Sequence, residues 1–421
     1  MNILKRSIHD SSVPRELRWN FIHLYFDIGW FGLLSGSAVN FITVYAVRIG
    51  ATNTQVGMLA ATGALISLIV ALPAGRLIET RHTGRTTFWS SVLFRLGYLT
   101  WIFLPWAFGS QGQIWTLIFI NLLMGIPLTV LGVGFSAFFA EAVPIEWRAH
   151  VTGVRNAVQA VVFMASSLAS GYLLDFLPFP IGYQVIFLIG FIGAAMSSFH
   201  LYFVKPVSEL YPPTRSPAPA PAAVITTPTL PRSWRTTLRL DVWQGKFRRI
   251  MLLFLFFHLG QQLAVPLFSP YNVHILKLND TQIGIGTAIF YLMVFLGSTQ
   301  LSRVVRALNH QKVTGIGVTL LGIYPILIAL STNALQFYGV SVVGGLVWAL
   351  VGGGYLNYIL ENIPANDRPA HLAWYNIVAN LCILTGSLVG PLIADWVGIS
   401  VALILFGILR ALAGLSILKF G

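Results

Sequence analysis

Runs of about twenty or more apolar residues alternate with short polar breaks along nearly the whole chain. Twelve such runs can be drawn, at 21–47, 54–78, 86–107, 113–139, 150–174, 180–204, 249–275, 281–306, 312–332, 335–361, 370–394 and 398–419. Each is long enough for a helix rising about 1.5 Å per residue to cross a hydrocarbon core about 30 Å thick. The pattern predicts an all-α membrane protein with twelve transmembrane helices.

The runs fall into two sets of six, and the sets are copies. Glu141, Pro144, Arg148, Asn156, Ser167 and Asp175 recur at identical spacing as Glu361, Pro364, Arg368, Asn376, Ser387 and Asp395. Each copy reads as a hydrophobic helix ending in Glu, a tight turn with Pro and Arg, and a second hydrophobic helix. Helix 2 opens with Thr54-Gln55-Val56-Gly57 and helix 8 with Thr281-Gln282-Ile283-Gly284. Parallel six-helix repeats predict two pseudo-symmetric bundles with the functional site between them. The expected divisions are a cytoplasmic N-terminus over 1–20, a first bundle over 21–204, a linker over 205–248 and a second bundle over 249–421.

Composition agrees: of 421 residues, 56% are hydrophobic and 9% charged, far from a soluble mixture. The net charge of +13 raises nucleic acid as a partner, but its placement removes it. Arg and Lys crowd alternate loops, while the opposite side holds only Arg48 and Lys277. This asymmetry predicts cytoplasmic termini and contact with anionic lipid headgroups, not nucleic acid. The polar, basic stretch before helix 1 has no small-residue cleavage site, so that helix is expected to be retained. A single cysteine, Cys382, excludes an intramolecular disulfide and a cysteine-based metal site. Tyr211 to Pro231 is rich in Pro and Ala and is expected to be unpacked. Trp234, Leu238, Trp243 and Phe247, interleaved with basic residues, read as an interfacial segment leading into helix 7.

The loop after helix 2 runs Gly75-Arg76-Leu77-Ile78-Glu79-Thr80-Arg81-His82-Thr83-Gly84-Arg85. It resembles the Gly-x-Leu-Ala-Asp-Arg-x-Gly-Arg signature of the major facilitator superfamily, with Glu79 in place of Asp and two extra residues before Gly84. The matching loop of the second half has Arg306 where the acid would stand. The resemblance implies a twelve-helix transporter whose halves rock about a central site. A carboxylate at a helix end facing a neighbouring helix N-terminus, with arginines reaching Glu141, would close the cytoplasmic side. The expected gate network is Gly75, Arg76, Glu79, Arg81, Arg85, Glu141, Arg148, Arg303, Arg306, Glu361 and Arg368.

Asp27 is the one carboxylate well inside a first-half span. A charge there normally faces a cavity or a partner. Helical spacing puts Asn20, His23, Asp27, Phe31, Ser35 and Ala38 on one face, expected to look into the central cavity. Asp27 is the candidate proton carrier, with His258 of helix 7 sharing the proton; the alternative is an acid paired structurally with His23 or an Arg. Candidate solute contacts are Phe31, Ser35, Asn156, Gln159, Gln261, Gln262, Trp348, Asn357, Trp374, Asn376 and Asn380, because aromatic walls with a few amides suit an organic solute. The intramembrane residues Arg95 and Arg410 read as snorkelling or structural.

No Walker loop, His-Glu-x-x-His or Gly-x-Ser-x-Gly element occurs, so neither an ATP-driven nor an enzymatic reading is supported. The sequence therefore predicts a secondary transporter of a small organic solute working by alternating access, proton-coupled, with export favoured over import. It is expected to be a monomer in a bacterial inner membrane, without cofactor or metal. Alternatives are a sugar or metabolite importer or uniporter of the same fold, or a transporter-shaped assembly factor or receptor.

Overall fold

The computed structural model describes residues 15–210, 239–364 and 367–421. Tyr211 to Pro231, Trp234, Arg235 and Leu238 lie outside the described residues. Among the described residues twelve long helices follow one another: α1 (Leu17–Arg48), α2 (Asn53–Thr80), α3 (Thr83–Ala107), α4 (Ser110–Ala142), α5 (Ile145–Phe176), α6 (Ile181–Tyr202), α7 (Gly245–Ile275), α8 (280–308), α9 (310–330), α10 (Ala334–Glu361), α11 (Arg368–Val397) and α12 (Ile399–Phe420). Eleven are long and apolar enough to span a membrane. The twelfth, α3, has the length at 25 residues but carries Arg95 in its middle.

The breaks between helices are written in cap chemistry. Thr52 Oγ1 accepts from Gln55 N at 3.2 Å while Gln55 Oε1 accepts from Thr52 N at 2.9 Å. Asn279 and Gln282 make the same reciprocal pair at 2.8 and 3.0 Å. Two donors that α2 and α8 would otherwise leave orphaned are satisfied at each start. That explains the Gln of both Thr-Gln-x-Gly runs. Between α8 and α9 the backbone reverses at Asn309, whose φ is 66°. Its side chain then caps α9 by accepting from Lys312 N at 2.9 Å.

Within each half the helices pack alike. In the first, α1 lies against α5 and α6, α4 against α2 and α3, and α3 against α6. In the second, α7 lies against α11 and α12, and α10 against the α8–α9 pair. Fully buried aromatic residues fill both interiors, among them Tyr45, Trp101, Tyr183 and Phe187 in the first half and Phe254, Phe257 and Tyr271 in the second. Large apolar side chains such as Leu72, Trp106 and Trp396 project outward, as a lipid-facing surface requires.

The segment leading into α7 packs on the bundle: Trp243 meets Trp374 edge-on at 5.3 Å, and buried Phe247 meets His371 at 4.6 Å. Two aromatic rings docked on α11 bury apolar area there.

Candidate functional site

The halves touch along α2–α11 and α5–α8. Since α2 and α8 begin, and α5 and α11 end, on the side away from the chain termini, that far end is where the repeated residues meet. A Cβ on Gly57 would stand 2.1 Å from Ser387 O, and one on Gly284 would stand 2.7 Å from Ser167 O. Only glycine lets these backbones approach so closely. Asp175 accepts from the backbone N–H groups of Asp280 at 3.1 Å and Thr281 at 2.9 Å, using the positive N-terminus of α8. Its repeat partner Asp395 accepts from Asn53 Nδ2 at 2.8 Å and Thr54 Oγ1 at 3.3 Å at the start of α2. Across the same end Arg48 pairs with buried Asp280 at 2.8 Å, and Tyr183 donates to Asp280 at 3.1 Å. Each repeat's Ser and Asp thus grip the opposite half's Thr-Gln-x-Gly run. The sequence shows both motifs twice but not that they meet crosswise.

The end bearing the termini is arranged differently. Arg76, Glu79, Arg81, Arg85, Glu141, Arg303, Arg306, Glu361 and Arg368 are exposed, and Gly75 is half-buried. Arg148 donates to Val143 O at 3.0 Å and to Ala140 O at 2.7 Å, within its own turn. Glu361 lies 3.5 Å from His310, and Arg303 donates to Gln300 at 2.8 Å. Among the described residues none of these gate candidates bonds across the halves, and the expected pairing of the α2–α3 loop arginines with Glu141 is not made. The two ends thus differ: the far end is bonded across the halves, and among the described residues the gate candidates at the terminal end are not.

Just inside the far end lies a cavity of about 440 Å³, to which α1 contributes Asn40 and Val44 and the second half contributes the rest. Both helices that open the halves depart from regular pitch beside it: α1 through a π-helical turn, Ser35–Val39, and α7 through one at Tyr271–Ile275. Such turns rotate the next side chains off the helix register. Asn40 follows the first and Asn272 sits in the second, and both line the space. Of the expected solute contacts, Gln261 and Trp348 line it as well. Arg410 does too, with 3% exposure, donating to Leu321 O and Gln261 O, both at 3.2 Å. It neither snorkels nor sits at the periphery: α12 turns it inward, where the aromatic walls of α9 and α10 leave space.

Asp27 is placed elsewhere. With 4% exposure, it accepts from Ser197 Oγ at 2.5 Å and pairs with Arg155 at 3.1 Å and Arg95 at 3.8 Å. Arg95 donates further to Ser91 at 2.5 Å and Ser198 at 2.7 Å. Arg155 donates to Leu24 O at 2.6 Å and lies over the Phe135 ring at 4.9 Å. This is a closed charge cluster among α1, α3, α5 and α6, inside the first bundle, and the pairing with an arginine is the one observed. His23 meets His200 at 3.0 Å instead, and Asn20 is buried against Lys205 O at 2.7 Å and Ala142 O at 3.2 Å. His258 bonds Tyr375 at 3.0 Å within the second half, so each of the two candidate proton carriers is partnered inside its own bundle.

The remaining candidates are spread. Asn156 shares a helical face with Phe163, Ser167 and Gly171, the face of α5 that meets α8, and Phe163 lies 4.4 Å from Tyr291. Asn376 and Asn380 share the face of α11 that carries Ser387, which meets α2; Asn380 donates to Asn376 O at 2.8 Å. Exposed Asn156 and Asn376 therefore line the gap between the halves below the far end. Gln159 and Phe31 are half-buried, Phe31 against the main core. Ser35 starts the π-helical turn. Gln262 packs on Gly386 of α11. Asn357 is exposed and bonds Gly353 O at 3.0 Å, and Trp374 donates to Arg239 O at 3.2 Å. Among the described residues no cluster of His, Cys, Asp and Glu could hold a metal ion.

Comparison with known proteins agrees with this architecture. The Major Facilitator Superfamily matches the sequence over residues 28–257 and 250–420. No curated protein matches it significantly. Among solved structures, a mutant form of the nucleoside transporter NupG superposes with a TM-score of 0.70 at 11% identity, covering 95% of this chain and 99% of that one. A bacterial homologue of the iron transporter ferroportin, in an inward-facing state, gives 0.71 at 14% identity, covering 97% and 99%. A POT family transporter in complex with a thioalcohol-conjugated peptide gives 0.68 at 15%, covering 97% and 96%. At these identities the likeness is one of fold.

Proposed function

The chain belongs to the Major Facilitator Superfamily, a membrane-embedded solute transporter and not an enzyme, and from that premise we propose that it moves a small organic solute by alternating access around the cavity beside Asn40, Gln261 and Trp348. The observation that carries this reading is a ligand-sized space of about 440 Å³ shared by both halves, with the far end bonded across the halves on one side of it and, among the described residues, unbonded gate candidates on the other. Pockets of about 300–1,000 Å³ with aromatic walls and a few polar groups are typical of small-molecule sites.

The terminal end carries the basic loops, so it is assigned to the cytoplasm. When the halves rock, the far-end contacts of Asp175, Asp395 and Asp280 break. Glu141 and Arg148, with their copies Glu361 and Arg368, then close the other end. We assign proton coupling to Asp27, buried within α1, and His258, half-buried within α7. A proton taken up by Asp27 would cancel the charge that holds Arg155 and Arg95, linking protonation to the contact of α1 with α5.

Flux in proteoliposomes, with and without a pH gradient and in both directions, tests the reading. Gradient-driven flux lost in Asp27→Asn while exchange persists is the expected result. Full gradient-driven flux in Asp27→Asn would remove Asp27 from the coupling, and absence of any solute movement across a broad panel would remove transport itself.

A further inference from the structure

Arg410 is the one described intramembrane arginine with no carboxylate partner, because Arg95 and Arg155 both hold Asp27. Only two main-chain carbonyls receive its guanidinium, and its Nε has no partner at all. None of the residues lining its cavity is acidic. An uncompensated cation in a low-dielectric interior is costly and is normally kept only where it meets a counter-charge. Two further polar atoms in the same wall, Gln261 Oε1 and Asn272 Oδ1, are likewise buried without a hydrogen bond. The residues that line this one space thus combine an uncompensated cation with two amides, and the cation calls for an anionic occupant.

The geometry points to a small organic anion as the solute, its carboxylate on Arg410, its hydroxyl or amine donors on Gln261 and Asn272, and its body against Tyr324 and Trp348. A guanidinium presents a planar fork of donors that a carboxylate matches. The amides of Gln261 and Asn272 line the same space and both donate and accept, so an organic anion with polar groups gains contacts that a bare inorganic ion such as chloride does not. This inference rests on the cavity being the transport site.

The test is thermal unfolding of the purified chain against paired probes: lactate, benzoate and 4-hydroxybenzoate beside their neutral primary amides, with sodium chloride and phosphate as inorganic controls. Expected is a rise of about 2 °C or more with at least one carboxylate and none with its amide. Arg410→Gln should abolish the response, and Thr287→Phe, which fills the cavity without removing charge, should abolish it too if Arg410→Gln does not fold. Equal shifts with acid and amide, no shift with any carboxylate, or equal shifts with chloride or phosphate would each overturn the proposal. Counterflow in proteoliposomes separates the two readings. Carboxylate binding without counterflow keeps the site and refutes transport; counterflow of a neutral or cationic solute without carboxylate binding refutes the anion and keeps transport.

Discussion

Two regions at similar depth, one in each bundle, hold arginine in the membrane interior and treat it in opposite ways. In the first bundle Asp27 takes up Arg155 at 3.1 Å and Arg95 at 3.8 Å, and Ser91 and Ser198 accept from Arg95 Nη1. In the second bundle Phe254, fully buried, stands where the repeat would place an acid, and Arg410 reaches into a cavity with two carbonyls for company. The first arrangement spends its charge on itself and is closed to a ligand. The second keeps a charge unspent where a solute can reach it. Both halves share one scaffold, but the acid stands in only one copy: the arginines of the first bundle have a carboxylate, and Arg410 of the second has none.

The largest expected effect comes from breaking the closed cluster. Asp27→Ala leaves two buried guanidiniums uncompensated and should cost about 3–5 kcal/mol, read as a large fall in unfolding temperature and in yield of monodisperse protein. Arg410→Met removes no ion pair and fills its space with an apolar side chain, so it should be neutral to stabilising. If Arg410→Met destabilises as much as Asp27→Ala, the contrast between the bundles fails.

A smaller effect tests whether the far end governs access to the open arginine. Gly57→Leu drives a side chain into Ser387 O and should force that end apart. The populations should move by the worth of the latch bonds, about 1–3 kcal/mol each, or up to about a hundredfold. A cysteine at Asn40, introduced with Cys382→Ala, should then be labelled faster by a membrane-impermeant thiol reagent from the far side. Unchanged labelling would mean that the latch does not control the cavity.

The smallest effect concerns an exposed charge group, the solvent-screened counterpart of both buried ones. Arg239 donates to Asp241 at 3.0 Å and to Asp367 at 2.8 Å, and its hydrogen bond holds the Asp241 carboxyl below the ordinary carboxylate range. A lowered folded pKa contributes stability above the ordinary value and loses it as pH falls through the lowered one. Asp241→Asn should therefore slightly flatten the acid side of the unfolding-temperature profile at low salt and change nothing near neutrality. An unaltered acid limb would show that this exposed pair contributes nothing, as many do.

Much of this was legible beforehand, and the successes share a cause. Helix number and approximate limits follow from hydropathy, a local property that hydrocarbon enforces on every segment alike. The repeat was visible because spacing survives divergence, and the Thr-Gln-x-Gly runs because caps are made by residues three apart. Gln261 and Trp348 drew notice as polar and aromatic groups within a span, and both line the cavity. The sequence could not show that α12 turns Arg410 inward to the cavity, nor that Asp27 would sit among two arginines and a serine from three other helices. No local pattern records rotation about a helix axis.

By itself, then, the sequence determined the class, the twelve helices, the twofold repeat and the short list of charges that the membrane interior must accommodate. Only the tertiary structure decided how those charges were satisfied: Asp27 by Arg155 and Arg95, Asp280 by Arg48 across the halves, and Arg410 by no side chain. A buried charge costs its desolvation wherever it lies, and that cost is written in the residue itself. What offsets it comes from partners far away in sequence, and only packing brings those within a few ångströms.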